Sequence, residues 1–376
     1  MAVKIVRQSK KIALIGAPSS AAAFSVGSEK APSALRAAGL AEKLQAAGYE
    51  VVDYDDCAPR LFADDEEHRR ARNLTEIVAG LNDLKTRAEL AVKSGALVLV
   101  LGGDCAPRLF ADDEEHRRAR NLTEIVAGLN DLKTRAELAV KSGALVLVLG
   151  GDCAQVIGLL TGVRRYYKHV NLLWFDRDAD LNTPASTPSG RIDGMVVAHI
   201  IGKGAPELVR FWSEAPLVRE PDVTLFGLER LDPPEQEFLV KSPMRHIYAA
   251  DIQSKGAGKA AHEALAQVHA DTREFVLHLD TDVIAAEDFP AVNVPGAGGL
   301  HFGEVRESFL EFVKHKNLLG LDVAQYNPDK DPEGRGAKML VDLLVQALSA
   351  RLEALTAPAA EPAEGPEEVS SSGTTA

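Results

Sequence analysis

Short apolar runs recur along the chain at Lys11–Gly16, Glu50–Tyr54, Ala96–Leu101, Ala144–Leu149, Asn171–Phe175, Val223–Phe226, Phe275–Leu279 and Leu318–Val323. Most are continuously apolar instead of alternating, the signature of strands buried on both faces. Longer stretches between them carry a 3.6-residue period. Pro32–Ala47 has helical spacing and ends at Gly48. Asn73 and Glu76 form a cap pair ahead of Leu74, Ile77, Val78, Leu81 and Leu84, and Gly95 is placed to end that helix. Gly336–Leu355 is the last helical pattern. Strands alternating with helices predict an α/β fold with a mainly parallel central sheet covered on both faces. Ala357–Ala376 is rich in Pro, Ala, Glu and Ser and reads as a disordered tail. No apolar run approaches the roughly 20 residues of a membrane helix. The basic start at Lys10-Lys11 precedes too short an apolar stretch for a signal peptide.

One helix–strand unit occurs twice. Cys57–Asp104 and Cys105–Asp152 are identical copies of 48 residues. All three cysteines lie in an Asp-Cys-Ala tripeptide: Cys57 opens the first copy, Cys105 marks the join, and Cys153 follows the second. Unequal crossover between two such tripeptides would produce this pattern. A recent duplication, an engineered one and an assembly error are the three origins that fit two undiverged copies, since solenoid repeats diverge and number three or more. Connectivity distinguishes the copies. Only the second runs into Gln155 and the helix beyond, so Ala144–Leu149 is expected to be the central strand and Cys153 the site cysteine. The first copy, 57–104, is then the insertion, its strand pairing at a sheet edge, packing outside or meeting a partner chain.

The 376 residues, about two domains' worth, therefore read as one domain over 1–356 with an internal duplicate. The net charge of −13 argues against a nonspecific nucleic-acid binder. An odd cysteine count with no disulfide framework indicates a reducing, cytoplasmic setting, and the short apolar runs argue against membrane association.

Four strands end in polar clusters: Gly150-Gly151-Asp152-Cys153; Asp176-Arg177-Asp178-Ala179-Asp180; Asp280-Thr281-Asp282; and Asp322 followed by Gln325-Tyr326-Asn327-Pro328. Each alone has a plain explanation: a turn, a solvated loop, a small buried thiol. Together they crowd carboxylates at the sheet edge where α/β folds bind ligands. Such a cluster needs positive charge, and divalent cations are the common solution, with oxygen donors favouring Mn²⁺, Mg²⁺ or Ca²⁺. His278 shares a strand face with Asp280 and reads as a histidine that faces the site or, more simply, as one in the core or behind the metal ligands; His301 reads the same way. Trp174 reads as sheet core.

The order of these motifs resembles the ureohydrolase family of arginases, agmatinases and formiminoglutamases. So do Ala31-Pro32, Leu35-Arg36 and Gly39-Leu40, and the run Asp180-Leu181-Asn182-Thr183-Pro184 continuing to Asp193-Gly194. The resemblance implies a three-layer α/β/α domain, a homo-oligomer, and a binuclear Mn²⁺ centre, with Mg²⁺ or another divalent cation as substitute. It implies hydrolysis of a guanidino or amidino C–N bond in a small amino-acid-like substrate, with urea released. The implied metal ligands are Cys153, Asp176, Asp178, Asp180, Asp280 and Asp282, with Asp176 and Asp280 bridging. Asn182, Thr187 and Ser189 match positions that hold the substrate's α-carboxylate.

Four positions depart from the family pattern. Cys153 and Asp178 stand where His ligands are expected, Asp193 replaces a proton-shuttling His, and Gln325 replaces a Glu that pairs with the guanidinium. Five aspartates and a thiolate would carry more negative charge than two divalent cations offset, leaving a weaker Lewis acid. Gln325 offers a guanidinium no charge-assisted bond, and Asp193 is a poor neutral-pH base at an ordinary aspartate pKa of about 3.9. Asp178, Asp193 and Gln325 are thus the candidate catalytic positions. Two functions follow: an amidinohydrolase, or a catalytically impaired ureohydrolase-fold protein with a binding or regulatory role.

Overall fold

A computed structural model describes residues 11–17, 30–56, 97–102, 133, 137, 145–149, 153–188, 193–210, 216–292, 294–296 and 298–356. Nine strands, β1 (Lys11–Ala17), β2 (Glu50–Asp56), β3 (Leu97–Gly102), β4 (Val146–Leu149), β5 (Asn171–Phe175), β6 (Val223–Leu228), β7 (Arg245–Tyr248), β8 (Phe275–Asp280) and β9 (Leu318–Ala324), form one sheet. Their order is β2-β1-β3-β4-β9-β8-β5-β6-β7, and every pairing is parallel.

The apolar runs found in the sequence are these strands, because a parallel sheet packed on both sides buries every position. Each residue of β5, β6, β8 and β9 is buried. Successive side chains alternate faces, so the strands feed two cores. Leu173, Phe175, Leu277, Leu279 and Leu321 face one layer, and Leu172, Trp174, Val276 and Leu319 the other. The first layer is built from helices α1 (Ala31–Ala37) and α2 (Leu40–Ala46) near the start of the chain. The second contains α3 (Gln155–Arg164), α4 (Val196–Ile200), α5 (Pro206–Val209) and α6 (Pro233–Lys241). The chain then returns to the first layer with α7 (Ala249–Lys255), α8 (Ala257–Gln267), α9 (Phe302–Lys314) and α10 (Arg335–Thr356). The architecture is three-layer α/β/α. Among the described residues no helix is long and apolar enough to cross a membrane.

Three local differences from the sequence reading have physical causes. The expected helix over 32–47 is two helices, because Gly39 takes a left-handed φ of 83° between them. β7 was missing from the pattern: it is four residues long at the sheet edge and only partly buried, so it lacks a continuous apolar run. The strand of the first copy lies neither at an edge nor outside. β3 pairs with β1 on one side and β4 on the other, which satisfies both of its hydrogen-bonding edges. β4, the strand of the second copy, pairs with β9. Most of both copies, Cys105, Gly150–Asp152, Ser189 and the tail 357–376 fall outside the described residues.

Candidate metal centre and substrate cavity

The carboxyl ends of five neighbouring strands, β4, β9, β8, β5 and β6, converge on a cavity of about 350 Å³. Cys153 follows β4, Gln325 follows β9, Asp280 ends β8, Asp176 follows β5, and Arg230 follows β6. Ligand sites in α/β sheets collect at this edge because each strand delivers its next loop there. Asp178, Asp180, Asn182, Asp193, Asp232, Glu235 and Asp282 also line the cavity.

Two groups of possible ligand atoms stand side by side. Cys153, Asp176, His278 and Asp280, all buried, each offer one atom within 4.8 Å of the others. Asp176, Asp178 and Asp282 form the second group, so Asp176 belongs to both. Local hydrogen bonds fix the carboxylates. Asp176 accepts from the Trp174 indole N–H at 3.1 Å and the Asp178 backbone N–H at 2.9 Å. Asp280 accepts from the Asp282 backbone N–H at 2.7 Å and from the Cys153 thiol at 2.9 Å. Asp180 holds a positive φ of 50°, a conformation aspartate tolerates better than most residues.

Burial sets the electrostatics. It pushes the Asp176, Asp180 and Asp280 carboxyls well above the ordinary aspartate range, and neighbouring carboxylates add to the shift. The Cys153 thiol is raised in the same way, by burial first and then by Asp193 and Asp280. Asp282 is pushed up to about 6 by burial and Asp178, with Arg230 opposing. A divalent cation would reverse the sign of this field.

These shifts carry a pH dependence. A carboxyl raised in the fold binds its proton more tightly folded than unfolded, so it favours the folded state at low pH. That contribution is lost as pH rises from the ordinary aspartate value of about 4 through about 6. Metal-free Asp282→Asn protein should therefore lose less stability than the unsubstituted protein between pH 4 and 7. Urea denaturation across that range checks this; parallel curves would contradict it.

The substituted positions are paired. Asp178, standing where a His ligand is expected, accepts a two-pronged bond from Arg230, with Nε at 2.9 Å from Oδ1 and Nη2 on Oδ2. The same Nη2 reaches Asp282 Oδ2 at 3.0 Å. Asp193 accepts from Gln325 Nε2 at 2.6 Å and from the Cys153 backbone N–H at 2.9 Å. Gln325 itself has a φ of 72°, strained for a residue with a side chain. Of the positions matched to carboxylate binding, Asn182 lines the cavity and donates to Asp232 at 2.7 Å. Thr187 sits in a turn closed by its N–H on the Thr183 carbonyl and is not among the described cavity-lining residues. Ser189 is outside the described residues.

Arg230, Asp232 and Glu235 are site residues that the sequence reading missed. The signal was present: Glu229-Arg230-Leu231-Asp232 is a fifth polar run at a strand end. Glu235 accepts backbone N–H groups of Leu181 at 2.9 Å and Asp232 at 2.8 Å, tying the Asp180 loop to the start of α6. Arg177, fully buried, is bound to Glu229. His301 is neither core nor ligand. It is exposed at the start of α9 and bonds Asp288 at 3.1 Å.

Comparison with known proteins agrees with this geometry. The profile described as Arginase family matches residues 10–107 and 112–349. The chain is 25% identical to an arginase of Bacillus caldovelox over 339 residues, 89% of this chain and 97% of that one. It is 27% identical to human Arginase-1 over 332 residues, 87% of this chain and 88% of that one. The solved structure of the Bacillus caldovelox arginase superimposes with a TM-score of 0.70 at 25% identity, covering 90% of this chain and 97% of that one. A proclavaminate amidino hydrolase from Streptomyces clavuligerus shares the fold, with a TM-score of 0.60 at 16% identity over 92% and 93% of the two chains. The family profile matched over most of the chain, with arginases alike along nearly its whole length, makes the chain a member of the arginase family.

Proposed function

We propose that this protein is a metal-dependent amidinohydrolase that cleaves a guanidino or amidino C–N bond of a small cationic substrate and releases urea or its equivalent. The observation that carries this reading is the convergence of Asp176, Asp180, Asp280 and Asp282 on one cavity, where burial and mutual repulsion raise the first three well above the ordinary aspartate range. The four-residue group around Asp176 and Asp280 would fit one divalent cation, because its ligand atoms are buried and close together, and its carboxyls and thiol become negatively charged as their protons leave. Arg230 already holds Asp178 and Asp282 of the second group, so a second cation there would have to displace that guanidinium. A bound cation supplies Lewis-acid polarisation and makes water a nucleophile near neutral pH.

The chain's own residues do the rest. Asp232, Glu235 and Asp180 present acceptors to a cationic substrate, and the cavity volume suits a small molecule. Asp193, which accepts hydrogen bonds from Gln325 and the Cys153 N–H, is on this reading the group that takes a proton from attacking water and passes it to the departing amine. The first copy, 57–104, is on this reading an insertion that adds β3 and leaves the site loop after β4 intact.

Urea release from a panel of L-arginine, agmatine and ω-guanidino acids, with saturating Mn²⁺, tests the proposal. Turnover of at least one compound is expected, and no turnover on any would overturn it. One observation favours the alternative of a non-catalytic binding protein: the cavity already holds a guanidinium of its own, that of Arg230.

A further inference from the structure

His278 has no part in the ligand set that the family resemblance implies, yet it is the most fully constrained histidine near the site. It lies on β8 two residues before Asp280, completely buried. Its Nδ1 is 2.7 Å from Asp322 Oδ2 on the neighbouring strand β9. A carboxylate at that distance accepts a hydrogen bond from a proton on Nδ1, the tautomer in which Nε2 keeps its lone pair. Nε2 is buried and has no hydrogen-bond partner among the described residues. An unsatisfied buried acceptor is costly, about 1–3 kcal/mol, and calls for an electrophile. One ring nitrogen of His278 lies within 4.8 Å of the Cys153 thiol and of carboxylate oxygens of Asp176 and Asp280.

The surroundings hold the ring in place. The Trp174 ring stacks on His278 with centroids 3.8 Å apart and planes at 17°, while the same indole donates its N–H to Asp176. One side chain thus orients two members of the group. Carboxylate, histidine and a free ring nitrogen facing acidic side chains is how proteins commonly orient a metal-binding imidazole.

We propose that His278 supplies an imidazole ligand to the cation site, giving a sulfur, nitrogen and oxygen donor set of Cys153, His278, Asp176 and Asp280 that takes Zn²⁺, Co²⁺ or Fe²⁺ in preference to Mn²⁺. Thiolate and imidazole are softer than the oxygen donors Mn²⁺ favours, and the borderline cations bind such sets more tightly. On binding, the Cys153 proton leaves to solvent and the sulfur–metal bond forms, while His278 enters neutral. The inference rests on the metal-dependent reading above but adds His278 to the ligands and names a different ion.

Full-length protein stripped by a chelator is titrated with Co²⁺ and followed by absorption. Expected are a near-ultraviolet thiolate-to-cobalt charge-transfer band that Cys153→Ser abolishes, and a loss of Co²⁺ affinity of about 100-fold in His278→Gln with altered ligand-field bands. Asp322→Asn should cost about tenfold, because it only orients the ring. Zinc-edge X-ray absorption of the unsubstituted protein should show imidazole scattering, a readout that requires no variant to fold. Zn²⁺ should outcompete Mn²⁺ at equal concentrations. Absence of Co²⁺ binding, of the charge-transfer band or of imidazole scattering overturns the proposal, as does an unchanged cobalt spectrum in a folded His278→Gln. Mn²⁺-dependent urea release with none of these signatures would overturn this inference and leave the amidinohydrolase standing. The signatures without any turnover would do the reverse.

Discussion

Asp280→Asn should abolish divalent-cation binding and lower the turnover of any accepted guanidino substrate at least about 1,000-fold, some 4 kcal/mol of barrier. Asp280 ends the central strand β8, is 4% exposed, and offers an oxygen to the buried ligand group while accepting the Cys153 thiol proton and the Asp282 N–H. The amide is the same size, but it lacks the charge that a cation needs and puts two hydrogens where a metal would sit. Stability should move the other way. Asp280's carboxyl is raised chiefly by burial, then by Asp282, so removing its charge relieves the crowded cavity. The metal-free variant should therefore denature in urea at the same or a higher midpoint than the unsubstituted protein at pH 7. Elemental analysis, urea release and denaturation on the same samples check all three. A variant that still binds metal and turns over would remove Asp280 from the site; one that loses stability would show that the fold, not the charge, had been damaged.

Arg230→Met has the second largest expected effect, on stoichiometry. Arg230 holds Asp178 and Asp282, two of the three residues in the second ligand group. Removing the guanidinium leaves those carboxylates facing each other with Arg177 as the remaining nearby positive charge. Metal-free protein at pH 7 should lose about 1–3 kcal/mol, below the usual cost of a broken buried pair because Arg230 and Asp178 are each one-third exposed. Mn²⁺ should restore that stability and load to one more ion per chain than in the unsubstituted protein, as read by elemental analysis after gel filtration. Equal Mn²⁺ content in the two proteins would mean that Arg230 does not compete with a cation.

Arg230 also bears on what it would take to recover a family-like site. His at 178 would lose the Arg230 pair, and Glu at 325 would face Asp193 across the 2.6 Å contact now made by the glutamine amide. Each reversion alone breaks an existing partnership, so the substitutions are coupled through their contacts.

The strands, the layers and the aspartates at the strand ends were legible in the sequence. β5 was placed to the residue at Asn171–Phe175, because a strand buried on both faces writes itself as an uninterrupted apolar run, and its end is marked by Asp176. The acidic members of the site came from the same signal. What failed was mostly edge and pairing information. β7 is short and half-exposed, and the pattern leaves the first copy's strand at an edge, outside the sheet or against a partner chain, because two identical copies carry identical local propensity. Its interior position depends on backbone pairing with β1 and β4, which no local pattern encodes.

The sequence by itself determined a parallel α/β chain with a crowded acidic site, and its resemblance to the ureohydrolases marked four replaced positions. Charge and periodicity are properties of the residues and need no neighbours to be read. Only the tertiary structure decided what the replacements do. Asp178 read alone is surplus negative charge, but Arg230, 52 residues later, closes on it from the next strand end. Gln325 read alone is a lost anion, but it binds Asp193 from 132 residues away. His278 is one more strand residue until Asp322 and Trp174 fix its ring beside Cys153. A side chain's charge is local, whereas its partner is set by which strands lie side by side, and here five strand ends distant in sequence meet at one cavity.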